Sequence, residues 1–421
     1  MTLEDNLQWL YSLNAHGIKL GLDTTRELLS RLGDPHLSFR PIHVAGSDGK
    51  GSVCAMIHSI LVEAGIEVGL YTSPHILRFN ERIVVGRREV SDDEILSLLG
   101  TCRPIAEEMA KEGRQLTFFE VTTAMAFKYF ADRGVEYAVL ETGMGGRLDA
   151  TNVVVPDVTV ITPIGLEHRQ HLGETIEAVS REKAGIIKKG VPVVYNCSAE
   201  AEKAISERAR EIDAPLYPIG KEYRLLSMDR YGVTIEYKER KYRVSIPGSF
   251  QAANATTAMR AIEVLRDPRV DDATIRRGLR SCHWPCRMEL VREDPVTVVD
   301  VTHTAMGATF LAQDFPYIYG KGNILVIGML GDKDINGVAS LLGPVFRKVI
   351  ATEADTDRAL AADTVAKAFM LYCNDVVVEE KVGDAMALAH AHLRPNEAVL
   401  VTGSLYTAGD ALKWMGEKIR F

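Results

Sequence analysis

Short apolar runs alternate with amphipathic segments along the first half of the chain. Residues 41–44, 67–71, 137–140 and 158–161 are dominated by apolar residues, as is typical of short buried strands. Residues 53–64 instead place their apolar side chains three and four positions apart, which is typical of an amphipathic helix. Strands that alternate with helices predict an α/β domain built on a mostly parallel sheet.

The pattern changes in the second half. Residues 223–246 alternate between apolar and polar side chains, which predicts a small region of antiparallel hairpins. From residue 286 onward, strand-like runs such as 296–300 alternate again with helical segments, which predicts a second, Rossmann-like α/β domain. A chain of 421 residues is longer than a single core usually supports. Because a proline interrupts residues 281–286, we place the domain boundary there and predict domains of residues 1–285 and 286–421.

A glycine-rich stretch, Gly46 to Ser52, separates the first predicted strand from the first strongly apolar helix. Glycines let backbone N–H groups turn inward, and the N-terminus of the following helix adds positive potential. Lys50 could reach the outer phosphates of a nucleotide, and the Ser52 hydroxyl could bind Mg²⁺. The spacing is one residue shorter than the usual phosphate-loop pattern, and Gly51 separates the lysine from the serine. An ordinary glycine-rich loop is the alternative interpretation.

Composition and charge argue against several classes of function. A formal net charge of −8 disfavours a protein that binds nucleic acid through bulk electrostatics. The N-terminal residues do not resemble a signal peptide, and no apolar run reaches membrane-spanning length, so we expect no membrane association. The six cysteines are scattered without zinc-site spacing, which predicts free thiols and a cytoplasmic location.

Three predicted strands are followed by polar side chains that could share one site: Ser73, Glu141 and His168. The carboxyl ends of parallel strands meet at one edge of a sheet, where α/β proteins bind their ligands, so these residues predict a metal–phosphate site. Each residue also has a structural interpretation, as a turn serine, a capping or ion-paired glutamate and a structural histidine. Lys183 by itself would be interpreted as a surface lysine.

Beyond the glycine-rich stretch, distinctive sequence blocks follow one another along nearly the whole chain. They are GIKLGL at 17–22, HVAGSDGKGS at 43–52, YTSPH at 71–75, NER at 80–82, LTFFE at 116–120, ETGMGGRLDATN at 141–152, EKAGI at 182–186, CRME at 286–289, GDKDI at 331–335 and TGSLY at 402–406. In this order and approximate spacing, they resemble the folylpolyglutamate synthase and dihydrofolate synthase family. That family is a branch of the Mur-ligase-like ATP-dependent amide ligases.

The resemblance implies that the first domain binds ATP and Mg²⁺ in the manner of Mur ligases and that the second is a glutamate-ligase domain. Lys50, Lys183 and His303 would be catalytic, and Lys183 matches a lysine that is carbamylated in the family. Ser73, Glu141 and His168 would bind the metal. The residues expected to bind the nucleotide are Gly46, Ser47, Asp48, Gly49, Lys50, Gly51, Ser52, Gln251, Asn254, Arg287 and Asp300.

The resemblance also implies the substrates. Ser404 matches a residue of the amino-acid pocket, and the segment that would line a pterin site comprises Thr117, Phe118, Phe119 and Glu120. The expected reaction joins L-glutamate to dihydropteroate or to the γ-carboxylate of a folate through an acyl phosphate. We expect small-molecule substrates, no nucleic-acid or membrane partner, and a monomer.

The chain departs from the family pattern at several positions. The family sequence DGAHNP is DVTHTA at residues 300–305, so Thr304 and Ala305 replace an asparagine and a proline. Asp48 replaces the usual asparagine of the phosphate loop, Phe250 replaces a histidine, and Cys286 replaces a glycine. A related ligase that uses another acid or amine therefore stays open as an alternative, as does a phosphate-loop kinase.

Overall fold

The computed structural model describes residues 2–17, 21–166, 168–417 and 419. Part of the predicted 17–22 block, residues 18–20, therefore lies outside the described residues. The chain divides into two compact units, Met1–Glu222 with Ala253–Cys282, and Tyr223–Ala252 with His283–Phe421. The final boundary between the two units falls after Cys282, close to the predicted domain boundary at residue 285. The hairpin segment groups with the second unit, whereas the predicted boundaries place it in the first domain.

The helices of the first unit surround an eight-stranded sheet. One of these helices begins at Gln251, just before the chain returns from the second unit to the first at Ala253. The helices are α1 (Leu3–Ser12), α2 (Asp23–Arg31), α3 (Lys50–Glu63), α4 (Asp92–Lys111), α5 (Phe118–Arg133), α6 (Arg169–Leu172), α7 (Ile176–Ala184), α8 (Ala199–Glu211), α9 (Gln251–Leu265) and α10 (Asp272–Ser281). The strands are β1 (Arg40–Ala45), β2 (Val68–Tyr71), β3 (Ile83–Val85), β4 (Arg88–Glu89), β5 (Tyr137–Glu141), β6 (Val158–Ile161), β7 (Val193–Tyr195) and β8 (Leu216–Pro218).

The strand order of this sheet is β4-β3-β2-β5-β1-β6-β7-β8. Pairing is parallel from β2 to β8, and only β3 and β4 at one edge are antiparallel. Strands β2, β5 and β6 are buried along their whole length, as expected when helices cover both faces of a parallel sheet. The predicted mostly parallel sheet is confirmed. Its central strand β1 lies between β5 and β6, so loops that follow these three strands emerge at one edge.

The second unit contains two sheets. Strands β9 (Tyr223–Asp229), β10 (Gly232–Tyr237) and β11 (Arg240–Val244) form the predicted antiparallel hairpins. The strands of the other sheet are β12 (Glu289–Glu293), β13 (Val296–Val299), β14 (Ile324–Ile327), β15 (Lys348–Glu353), β16 (Val376–Lys381) and β17 (Val399–Thr402). Their order is β12-β13-β17-β14-β15-β16, and the pairing is parallel except for β12. The helices are α11 (Ala305–Tyr319), α12 (Ile335–Leu342), α13 (Ala362–Phe369), α14 (Val382–His392) and α15 (Leu405–Met415).

Among the residues that the structure describes, no helix is both long and apolar enough to cross a membrane.

Candidate active site

The glycine-rich stretch lies between the end of β1 and the start of α3, as predicted. Gly46 has φ = 154°, and a Cβ atom there would collide with the hydroxyl of Thr162. Gly49 has φ = 83°, and a Cβ atom there would lie 2.5 Å from Asn254 Oδ1. Neither position accepts a side chain without strain. The surroundings of Gly46 are too crowded for a Cβ atom, and Gly49 has both crowded surroundings and a left-handed backbone conformation. The loop therefore keeps its backbone close to its neighbours.

Two lysines converge on this loop. Lys50 Nζ donates to the carbonyl oxygens of Gly46 and Ser47, at 3.0 and 3.1 Å. Lys183 Nζ, on α7, donates to the same Gly46 oxygen at 2.6 Å. Lys183 is 1% exposed, so the interpretation of this residue as a surface lysine is wrong. The Gly46 carbonyl oxygen therefore joins α7 to the phosphate loop through two lysine side chains.

The Glu141 carboxylate lies at the end of β5, next to β1, where Glu141 pairs with Val44. It is 5% exposed, and its Oε2 accepts a hydrogen bond of 3.1 Å from the backbone N–H of Ser73. Burial raises the pKa of the Cys54 thiol, the negative charge of Glu141 raises it further, and the Lys50 ammonium lowers it. The charges of Glu141 and Lys50 therefore act on the Cys54 thiol in opposite directions.

The loop that follows β6 is fastened to the phosphate loop. The Ser47 amide donates to Pro163 O at 2.8 Å, and the Ser47 hydroxyl lies 3.0 Å from both the backbone oxygen and the backbone nitrogen of Gly165. His168 follows this loop with φ = 46° and an exposed side chain. The structure thus brings Ser73 and Glu141 together, whereas the inclusion of His168 in the metal site stays a prediction.

The residues present fit a nucleotide phosphate. Helix α3 begins at Lys50, and its N-cap residue, Gly49, makes no side-chain cap hydrogen bond. A helix N-terminus of this kind suits an anion such as a phosphate. The carboxylate of Glu141 and the hydroxyl of Ser73 are hard oxygen donors of the kind that Mg²⁺ prefers. Within the described ranges, no group of three or more His, Cys, Asp and Glu side chains is arranged to hold a metal ion.

The predicted pterin segment begins α5. Thr117 and Glu120 form a capping box: the Thr117 amide and hydroxyl donate to Glu120 Oε2, at 2.8 and 3.0 Å. Glu120 Oε1 accepts from the hydroxyls of Thr24 and Thr25, and the residue is 4% exposed. The carboxylate therefore joins α2 to α5, and substrate contact by Thr117 or Glu120 stays a prediction. Phe118 and Phe119 are only partly buried and offer ring surface.

Three residues near the Phe118 ring, Tyr11, His75 and Arg82, have no role in the sequence prediction. The Phe118 ring stacks on Tyr11 with centroids 5.8 Å apart, and the Arg82 guanidinium lies 5.1 Å from the Phe118 centroid. Arg82 Nε donates to His75 Nδ1 at 2.7 Å. Burial, together with the charge of Arg82, lowers the pKa of His75 to about 3, which keeps the imidazole neutral. The signal was present, since His75 and Arg82 both belong to the distinctive blocks.

Arg287, in the second unit, lies in an unusual loop. Cys286 and Met288 on either side of it have φ values of 53° and 48°. Asp300 is 1% exposed, and its two oxygens accept from the amides of Met288 and Thr302 at 2.8 and 2.7 Å. These contacts give Asp300 a structural role, and its predicted contact with ATP stays a prediction.

Two further predicted residues of the second unit have defined local contacts. His303 Nδ1 lies 2.9 Å from Val301 O, an acceptor, so the ring proton is on Nδ1. Ser404 is 1% exposed, and its hydroxyl caps α15 by accepting from the Thr407 amide at 3.0 Å. Ser404 therefore begins a helix, and its contact with an amino-acid substrate stays a prediction.

The nucleotide-base residues lie at the start of α9. Gln251 and Asn254 are 0% and 3% exposed. Asn254 is the residue that packs against Gly49 of the phosphate loop. Their contacts with a nucleotide base stay predictions.

Comparison with known proteins identifies the family. Residues 44–262 match the Mur ligase middle domain, and residues 286–405 match the Mur ligase glutamate ligase domain. The dihydrofolate synthase/folylpolyglutamate synthase of Bacillus subtilis is 36% identical over 97% of this chain and 98% of its own length.

Solved structures of folylpolyglutamate synthases have the same fold as this chain. The Mycobacterium tuberculosis folylpolyglutamate synthase complexed with ADP and AMPPCP is 29% identical, with a TM-score of 0.91 over 99% of this chain and 100% of its own. The bifunctional folylpolyglutamate synthase/dihydrofolate synthase of Yersinia pestis, complexed with AMPPNP and Mn ion, is 30% identical, with a TM-score of 0.86 over 99% of this chain and 98% of its own. The chain belongs to the folylpolyglutamate synthase/dihydrofolate synthase family of Mur ligases.

Proposed function

We propose that this chain is an ATP-dependent ligase that joins L-glutamate to dihydropteroate or to the γ-carboxylate of a folate. The observation that carries the proposal is the convergence of Lys50 and Lys183 on Gly46 O, in a glycine loop that opens an uncapped helix. That arrangement suits the phosphates of ATP. Relatives of this family that are 30% identical or more over nearly the full chain carry the same two activities in their names.

The nucleotide would lie with its phosphates at the N-terminus of α3. The loop residues 46–52 and Arg287 would contact the phosphates, and Gln251 and Asn254 would contact the base. Ser73, Glu141 and His168 would hold Mg²⁺, which supplies charge neutralisation for the transferring phosphoryl group. Carbamylation of Lys183 would convert its ammonium into an anion, and the burial of this side chain suits a modification protected from bulk water.

The chemistry follows from the weakness of a carboxylate as an electrophile. A carboxylate oxygen of the acid attacks the γ-phosphorus of ATP, the bond to the bridging oxygen breaks, and ADP leaves. The product is an acyl phosphate. The amine of glutamate then attacks the acyl carbon, loses a proton, and expels inorganic phosphate from the tetrahedral intermediate. Lys50 and Arg287 would stabilise the charge that develops on the phosphoryl oxygens.

A planar, aromatic acid would bind beside Phe118 and Phe119. Tyr11 and Arg82 surround the Phe118 ring, and stacking between aromatic rings and a guanidinium plane suits a pterin. Ser404 would belong to the glutamate site. We also propose, from the free thiols of the described cysteines, a cytoplasmic enzyme. The monomeric state stays a prediction.

A ligase for a different amine is the second candidate, because of residues 304 and 305. The Thr304 hydroxyl caps α11 by accepting from the Gly307 amide at 3.1 Å, and Ala305 is the first residue of that helix. The side chains at this helix start therefore differ from the asparagine and proline expected from the family pattern.

A substrate panel separates these functions. The protein is incubated with Mg-ATP and dihydropteroate or a reduced folate, with and without L-glutamate, and ADP and amide products are measured by mass. The proposal expects ADP release that requires both acid and glutamate. Amide formation with another amino acid would favour the second candidate, and a phosphorylated product formed without any amine would identify a kinase.

A further inference from the structure

The loop that carries Arg287 has a backbone that few sequences adopt. Cys286 and Met288 both have left-handed φ values, of 53° and 48°, although neither is a glycine. Side chains with a Cβ atom disfavour this region, so two such residues on either side of an arginine need external support. Cys286 is fully buried, so its side chain is held in the core while the arginine next to it is only partly buried.

Two carboxylates supply that support. The Cys286 amide donates to Glu289 Oε2 at 2.7 Å, and the Met288 amide donates to Asp300 Oδ2 at 2.8 Å. The loop is also fastened by its backbone, since the Val301 amide donates to Cys286 O at 3.2 Å. Hydrogen bonds to ionised acceptors are the strong ones, so each left-handed residue is held by a charged group.

The same backbone also orients the guanidinium. Arg287 Nη1 donates to Cys286 O at 3.1 Å. Cys286 therefore contacts both the Arg287 guanidinium, through its carbonyl oxygen, and the Glu289 carboxylate, through its amide. The second oxygen of Glu289 lies 3.4 Å from His283 Nε2. Glu289 thus connects the loop before Arg287 to the start of β12.

We propose that Glu289 is a positioning residue that holds Cys286 in its left-handed conformation and thereby presents Arg287 to the nucleotide phosphates. This inference rests on the proposed function in one respect, the binding of ATP phosphate by Arg287. Asp300 holds the other side of the loop in the same way. Glu289 contacts this loop through the amide of residue 286.

The test is a double-mutant cycle with two readouts, AMPPNP binding by calorimetry and kcat/KM for ATP. Glu289→Ala is expected to weaken both about tenfold or more. In an Arg287→Ala background it is expected to cause little further loss, because the arginine it positions is absent. Glu289→Gln retains an oxygen acceptor and is expected to stay within about threefold of the wild type. Glu293→Ala, at the exposed far end of β12, is the matched control and should bind AMPPNP as the wild type does.

A rescue variant distinguishes the positioning of Arg287 by Glu289 from a general loss of folding in Glu289→Ala. Glycine adopts a left-handed φ without the support of the Glu289 hydrogen bond. Adding Cys286→Gly to Glu289→Ala is therefore expected to restore much of the AMPPNP affinity. Wild-type affinity in Glu289→Ala, or losses that multiply fully with Arg287→Ala, would overturn the inference. A wild type that binds AMPPNP but forms no amide would overturn the proposed ligase and leave the binding cycle to decide on Glu289. A wild type that binds no AMPPNP would overturn both.

Discussion

Lys50 and Lys183 donate hydrogen bonds to one acceptor, the carbonyl oxygen of Gly46, although Lys183 is 137 positions away from it in the chain. Lys50 begins α3, whereas Lys183 comes from α7 and is almost fully buried. A single peptide oxygen thus joins the phosphate loop to a helix that follows β6. Any change at this carbonyl affects both ammonium groups.

Replacement of Lys50 should nearly abolish catalysis. Lys50→Ala removes one of the two ammonium groups beside the loop, and we expect kcat to fall on the order of 100-fold or more. ADP release in the presence of acid and glutamate measures the effect. Lys189→Ala removes an exposed lysine from the same unit and should leave the rate unchanged. Full activity of Lys50→Ala would remove the phosphate-loop assignment.

Gly49 is expected to be needed for more than its backbone conformation. Gly49→Ala introduces strain of about 1–2 kcal/mol from its left-handed φ and also forces a Cβ atom against Asn254. Gly65→Ala introduces similar strain, since φ is 74°, but nothing lies within 4 Å of the new Cβ. Both variants should lose stability in urea unfolding, whereas only Gly49→Ala should lose AMPPNP affinity. Equal affinities in the two variants would show that the contact with Asn254 is unimportant.

Glu141 should control the metal requirement. Glu141→Gln removes the negative charge beside Ser73, and we expect the Mg²⁺ concentration for half-maximal activity to rise roughly 10- to 100-fold. Glu67→Gln is a suitable control, because Glu67 is exposed and precedes β2 at the opposite end of the sheet. A Glu141→Gln enzyme with unchanged Mg²⁺ dependence would place the metal elsewhere.

Arg82 should affect the acid and not the nucleotide. Arg82→Ala removes the guanidinium from the Phe118 ring, so we expect KM for dihydropteroate to rise about tenfold while KM for ATP changes little. Arg78→Ala serves as the control, since that side chain is exposed and forms a surface ion pair with Glu89. A rise in both KM values would instead indicate that Arg82 supports the unit as a whole.

Stability should fall with acid through buried histidines. Burial, with a smaller effect of the Lys188 charge, lowers the pKa of His43 to about 3, against an ordinary value of 6.5 in the unfolded chain. Between these values the unfolded state binds the extra proton, so the stabilisation present above pH 6.5 is lost as pH falls toward 3. One such group contributes at most about 1.4 kcal/mol per pH unit.

Urea unfolding between pH 7 and 4.5 measures this dependence. His43→Gln should unfold at lower urea concentration at pH 7 but show a shallower loss of stability toward pH 4.5. Parallel pH profiles for His43→Gln and the wild type would show that His43 does not contribute to the acid sensitivity.

The sequence pattern predicts the local structure of the chain, that is, its strands, helices and short loops. The strand before Gly46 and the helix after it follow from apolar periodicity, and the structure has both as β1 and α3. The phosphate loop, the hairpins and the strand–helix alternation of both sheets involve residues close in sequence. Backbone geometry and side-chain periodicity act over such short distances, so the pattern alone indicates them.

The site itself depended on tertiary structure. Nothing in the surroundings of Lys183 indicated burial against Gly46, and the contact of Ser73 with Glu141 spans 68 positions. The left-handed backbone at Cys286 and the grouping of residues 223–252 with the second unit were likewise invisible in the pattern. Periodicity determines which face of a segment is buried, but strand order and packing determine which distant segment covers that face. For this protein, the sequence by itself determined the elements and the family, and only the folded chain decided which charged groups share one acceptor.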